Sequence, residues 1–150
     1  MKRLLIALLL VFISLPSLKA QERELRFNKD RRFKIVQFTD VHWIYGNEAS
    51  NEAGERMAEV LDAEKPDLVV LTGDLVFAKP AGKALQKVLE PILKRGLRFA
   101  ITWGNHDDEH DMARAELSHF IENMPGNLSS TTEGVSGVTN YILPIGASEG

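Results

Sequence analysis

Leu68-Val69-Val70-Leu71 is an unbroken apolar run held between Lys65-Pro66-Asp67 and Thr72-Gly73-Asp74. A run this short and this uniformly apolar predicts a strand buried on both faces, the mark of a parallel sheet. Parallel strands need crossovers, and the flanking sequence supplies them. Phe33 to Thr39 (FKIVQFT) is apolar and β-branched with partial alternation, and predicts an earlier strand. Leu97 to Thr102 predicts a later one. Glu52 to Ala63 carries Met57, Val60 and Leu61 at helical spacing and predicts an amphipathic helix after a loop from Val41 to Asn51. Gly82 to Lys94 predicts a second helix, despite Pro91 near its end, with Gly96 to close it. Glu109 to Asn123 predicts a third helix, Pro125 to Gly137 a loop rich in Gly, Ser and Thr, and Asn140 to Ile145 a fourth strand. This alternation is that of βαβ units, so the fold class is α/β.

The first twenty residues belong to another physical class. Lys2 and Arg3 precede an apolar run from Leu4 to Leu15 broken only by Ser14, and Pro16, Ser17 and Ala20 follow. Positive start, short apolar stretch and small residue predict a secretory signal peptide over 1–20, with cleavage after Ala20. The run is too short to span a bilayer comfortably, so no stable membrane span is expected after cleavage. Residues 21–32 read as a polar lead-in and 33–150 as the folded domain. Removing the signal lowers Lys plus Arg from 18 to 15 against 21 Asp plus Glu, which moves the net charge from -3 to -6. With no basic run beyond Arg31-Arg32, a nucleic-acid footprint is excluded. The chain has no cysteine. An exported protein without disulfides or a lipidation thiol is expected to be periplasmic or secreted, and stabilised by packing and bound metal.

Three polar clusters sit where an expected strand has just ended: Asp40-Val41-His42, Gly73-Asp74, and Gly104-Asn105-His106-Asp107. Ligands of open α/β sheets bind beyond the carboxyl ends of the strands, so parallel strands would bring all three to one edge. Asp, His and Asn suit Mn, Fe, Zn or Mg, and the lack of cysteine argues against a thiolate zinc site. Each cluster alone fits a turn, a surface imidazole or a helix cap. Three in succession fit a metal centre better.

The ordered set D-x-H, G-D, G-N-H-D, in the phrases FKIVQFTDVH, KPDLVVLTGDLVF and FAITWGNHDDE, resembles the calcineurin-like metallophosphoesterase superfamily, nearest its purple-acid-phosphatase-like subgroup. The resemblance runs from about Phe33 to the chain end, and the stretch Gly137, Asn140-Tyr141 and Leu143 is similar too. It implies an α/β sandwich of which this chain supplies the first βαβαβ half. It implies two divalent or mixed-valence metal ions about 3.5–4 Å apart and hydrolysis of a phosphoester substrate. Asp40 and His42 would bind the first metal, Asp74 would bridge both, and Asn105 would bind the second. His106 would serve the leaving oxygen, with Asp107 fixing its tautomer and raising its pKa.

The sequence departs from that family in two places. The later histidine ligands of form G-H-x-H are absent, and His110 and His119 read as solvated helix residues. Purple acid phosphatases carry an iron-ligating tyrosine three residues after the bridging aspartate, where this chain has Phe77; they also have glycine where His42 stands. A ferric-tyrosinate centre is therefore not expected. Because the chain stops just after an expected strand, the expectation is a fragment of a longer enzyme, inactive alone. The alternative is a catalytically incomplete binding domain. A monoesterase and a nucleotide or phospholipid diesterase are not distinguished. Trp43 and Tyr45 are weak candidates for the substrate entrance, against a packing role; Trp103 reads as wall or core and Tyr141 as core.

Overall fold

The structure is a computed structural model that describes residues 24–148. The expected signal peptide lies outside the described residues. Three parallel strands form one sheet in the order β1 (Ile35–Phe38), β2 (Leu68–Thr72), β3 (Phe99–Thr102). Ile35 pairs with Leu68 and Val69 with Phe99, so the strands end nearly level. The connections are α1 (Glu48–Glu64) and α2 (Ala81–Leu93), and α3 (Arg114–Ile121) follows β3. The parallel α/β architecture is thus as the apolar run at Leu68 required.

The pleat of β2 divides the core. Val69 and Leu71 join the helices' apolar faces, through Met57 and Leu61 of α1, Leu85, Leu89 and Ile92 of α2, and Leu117 and Ile121 of α3. Leu68 and Ala100 face the other way, onto Leu25, Leu128, Tyr141, Leu143 and Ile145. All three helices therefore cover one face, and irregular chain covers the other. Each fully buried Leu or Ile contributes roughly 1.5–3 kcal/mol, so the helical face carries most of the packing energy. Leu25, inside the expected polar lead-in, is buried in the second cluster.

Element ends differ from the expectations for local reasons. Helix α1 begins four residues early because Asn47 caps it, its side chain accepting from the Ala49 N–H at 2.9 Å. Val60 turns outward to 40% exposure while Met57 and Leu61 face the core. Helix α3 starts at Arg114 instead of Glu109, because residues 109–113 are used by other contacts. Asp111 among them accepts from the Ala81 N–H at 2.9 Å and caps α2, whose own N-cap, Pro80, has no side-chain acceptor. The expected strand over Asn140–Ile145 does not form. The free edge of β3 is already occupied: Phe99 N–H donates to Gly126 O, Leu128 N–H to Phe99 O, and Ile101 N–H to Ser129 Oγ. Residues 140–145 instead pack side chains on the sheet face, where the Tyr141 hydroxyl donates to Ile101 O at 2.7 Å and Ile142 points out at 89% exposure.

Candidate metal centre

Each polar cluster begins where a strand stops, at the carboxyl edge of the sheet. The backbones there are laced together. Asp40 N–H donates to Gly73 O at 3.1 Å, His42 N–H to Asp74 O at 2.9 Å, and Trp43 N–H to Leu75 O at 2.9 Å. Asp40, His42 and Asp74 all lie in the left-handed region, with φ of 55°, 47° and 52°. A non-glycine residue held there costs of order 1–3 kcal/mol and persists only where its surroundings enforce it. That strain aims three adjacent polar side chains off the sheet edge.

The turn after β2 and the loop after β3 approach so closely that both need glycine. A Cβ on Gly73 would lie 2.5 Å from Gly104 N, and one on Gly104 would lie 2.1 Å from Asp74 Oδ1. Asp107 binds the two segments together. It is fully buried; Oδ1 accepts from Leu75 and Val76 N–H at 2.7 and 3.1 Å, and Oδ2 from Asp74 and Gly104 N–H at 3.0 and 2.7 Å. The sequence pointed to Asp107 as the group that fixes the His106 ring, but the fold turns it to the backbone instead. Its oxygens are committed to four backbone donors. Its negative charge adds only a minor share to the raised His106 pKa.

His42 Nδ1 lies 3.2 Å from Asp40 O, and a carbonyl can only accept, so the neutral tautomer that makes this bond carries its proton on Nδ1 and leaves the Nε2 lone pair for a metal. Nε2 is 3.8 Å from Asp74 Oδ2, while Asp74 Oδ1 accepts from His106 N–H at 3.0 Å. Ligand atoms of His42, Asp74 and His106 all lie within 4.8 Å of one another. Donors about 2.0–2.2 Å from one ion stand at most about 4.4 Å apart, so the 3.8 Å between His42 Nε2 and Asp74 Oδ2 fits a shared cation. The donor set of imidazole and carboxylate suits zinc, iron or manganese. Asp40 and Asn105 stand exposed next to this group in the chain, and the Asp40 carboxylate accepts from Thr39 Oγ1 at 2.6 Å.

His106 Nδ1 lies 2.9 Å from Glu109 Oε2, a short contact poorly aligned for a hydrogen bond. That carboxylate is the main cause of the raised His106 pKa, against a smaller opposing effect of burial. Phe77 forms a hub: its ring packs edge-on at 5.8 Å from His42, 5.5 Å from His106 and 5.3 Å from His110. His110 is thereby drawn half into the protein, with Nε2 buried and unpartnered, and is not the solvated helix residue expected. His119 is solvated as expected, paired with Glu122 at 83% side-chain exposure. Trp43 is buried against Gly54 of α1 and does not line an entrance. Tyr45 is exposed, with Lys83 of α2 5.7 Å over its ring. Trp103 is wall, as expected, its indole donating to Ser118 Oγ at 2.7 Å.

Sequence reasoning missed Arg114 and Glu109. The Arg114 guanidinium donates to Gly104 O at 2.9 Å and to Asp108 at 2.9 Å, and so pins the loop that carries Asn105 and His106. The three-residue spacing from His106 to Glu109 was the available signal for the second.

A profile of the family described as calcineurin-like phosphoesterase matches residues 33–145. The chain belongs to that family. It is 30% identical over 147 residues to the "Probable inactive purple acid phosphatase 14" of Arabidopsis thaliana, covering 82% of this chain and 37% of that protein. It is 31% identical to "Phosphatase DCR2" of Saccharomyces cerevisiae over 89% of this chain and 27% of that one. An uncharacterized protein of Schizosaccharomyces pombe is 30% identical over 85% of this chain and 30% of its own length. The chain thus spans about a third of the length of these relatives. Among the described residues, no helix is long and apolar enough to cross a membrane.

Proposed function

We propose that this protein is an exported phosphoester hydrolase with a dinuclear metal centre at the carboxyl edge of its sheet. The observation that carries the reading is the convergence of His42, Asp74 and His106 on one small volume, where His42 and Asp74 would hold metal and His106 would stand beside it as proton donor, with strained backbone at Asp40, His42 and Asp74. Asp40, His42 and Asp74 would hold one ion, and Asp74 and Asn105 a second. Bound ions of this kind polarise a phosphoryl oxygen and lower the pKa of water. Asp74 is suited to bridging, since its two oxygens face different neighbours, His42 on one side and the His106 backbone on the other. His106 would hand a proton to the departing oxygen, with the Glu109 carboxylate beside it favouring the charged ring. The amino-terminal charge and hydropathy pattern supports export to the periplasm or outside the cell.

A second reading is a domain that binds phosphoesters without turning them over. The word "inactive" in the names of several plant relatives favours it. The two separate on the protein as its gene encodes it, with metal content and turnover measured together. The hydrolase reading expects Asp74→Asn to lose both. It expects His106→Ala to retain metal while turnover falls about 10²–10⁴-fold, less for nitrophenyl esters than for alkyl esters. Metal binding without turnover in the parent protein favours the binding domain. Normal metal content and turnover in Asp74→Asn would remove that residue from the site.

A further inference from the structure

His106 and Glu109 sit on one tight turn, closed by Glu109 N–H donating to His106 O at 3.2 Å. The turn brings the two side chains together: Oε2 of Glu109 is 2.9 Å from Nδ1 of His106, and that nitrogen is buried with no aligned acceptor among the described residues. Asp107, the other carboxylate close in sequence, has its oxygens taken by four backbone donors. Arg114 ties the loop at both ends, donating to Gly104 O and to Asp108. A buried imidazole N–H left without an acceptor is costly, so this partnership defines the ring's orientation.

We propose that Glu109 is the positioning residue of His106: its carboxylate holds the proton on Nδ1 and leaves Nε2 to face the reacting phosphoester. The inference rests on the hydrolase reading for the part His106 plays. Water adds to phosphorus, the ester P–O bond breaks, and the departing oxygen takes the Nε2 proton. His106 is left neutral with its remaining proton on Nδ1 against Glu109, and Nε2 is reloaded from solvent, which receives the proton shed by the attacking water. Glu109 touches neither substrate nor reacting atoms. Its side chain is 46% exposed, so its removal leaves the packing intact.

The test uses the protein as its gene encodes it, with Glu109→Ala and Glu109→Gln. Long-range proton–nitrogen NMR reads which ring nitrogen of His106 is protonated, with the signal assigned by its loss in His106→Ala. Read at a pH high enough for the ring to be neutral, the state it is left in after the transfer, the expected result is an Nδ1–H tautomer in the parent, kept in Glu109→Gln, whose amide oxygen still accepts, and lost in Glu109→Ala. Turnover of an alkyl phosphate should fall about 10- to 100-fold in Glu109→Ala with KM little changed, and recover largely in Glu109→Gln. Turnover of a nitrophenyl ester should barely fall, and metal content should hold. An unchanged tautomer in Glu109→Ala, an equal loss for both esters, or a loss of bound metal would each overturn the proposal while leaving the hydrolase reading standing. If the parent hydrolyses no ester, the hydrolase reading fails and the tautomer alone decides whether Glu109 holds Nδ1.

Discussion

Replacing Asp107 with asparagine changes one atom's chemistry at the tightest point of the structure. The wild-type carboxylate accepts four backbone N–H groups, two at each oxygen, in a fully buried position. Asparagine keeps one acceptor oxygen and turns an NH2 toward the other pair. Either the Asp74 and Gly104 N–H groups or those of Leu75 and Val76 then face a donor. A hydrogen bond to a charged group contributes roughly 1.5–3 kcal/mol, so losing two costs about 3–6 kcal/mol. No water can enter a fully buried site without opening the turn, which would move Asp74 and Gly104 apart. The loss is a large share of the roughly 5–15 kcal/mol that holds a domain together. Urea denaturation of the variant and parent, beside an exposed control such as Glu59→Gln, measures it. The expected outcome is an unfolding free energy lowered by several kcal/mol in Asp107→Asn, read as a lower urea midpoint, and unchanged in the control, with weakened metal affinity because Asp74 loses its tether. A loss below about 1 kcal/mol with an unchanged urea slope would refute the reasoning, since it would mean that the four donors find other partners at little cost.

Two further outcomes follow, one beside the metal centre and one far from it. Gly104→Ala should weaken metal binding as much as stability, because its methyl group would press on Asp74 Oδ1; retained metal affinity, read by competition with a chelator, would show that the turn adjusts freely. Lys87 and Lys94 lower the pKa of Glu90 from 4.5 to about 2, so the pairing stabilises the fold above pH 4.5 and is lost as pH falls through about 2. With the Glu90 side chain 36% exposed, screening limits this, and Glu90→Gln should cost less than about 1 kcal/mol at neutral pH and nothing at the acid end; a cost unchanged across that range would contradict it.

What was legible in the sequence is what local pattern controls. The apolar run at Leu68 required a buried parallel strand, the helical spacing of Met57 and Leu61 required a helix against it, and the clusters at Asp40, Asp74 and Asn105-His106 fell at strand ends because parallel strands all finish on one edge. Those are consequences of period and order along the chain, and no distant contact was needed to read them. The tertiary structure decided matters of competition. Asn140–Ile145 has a strand's composition, yet residues 126–129 hold the edge of β3 that it would have needed. Asp107 and Glu109 are both acids within three residues of His106, and only the fold of the turn settles that the nearer one serves the backbone and the farther one meets the ring. Trp43 and His110 likewise had no local pattern to say whether they faced water. Their burial depends on Gly54 from α1 and on Phe77 from the turn after β2, partners that sequence proximity does not reveal.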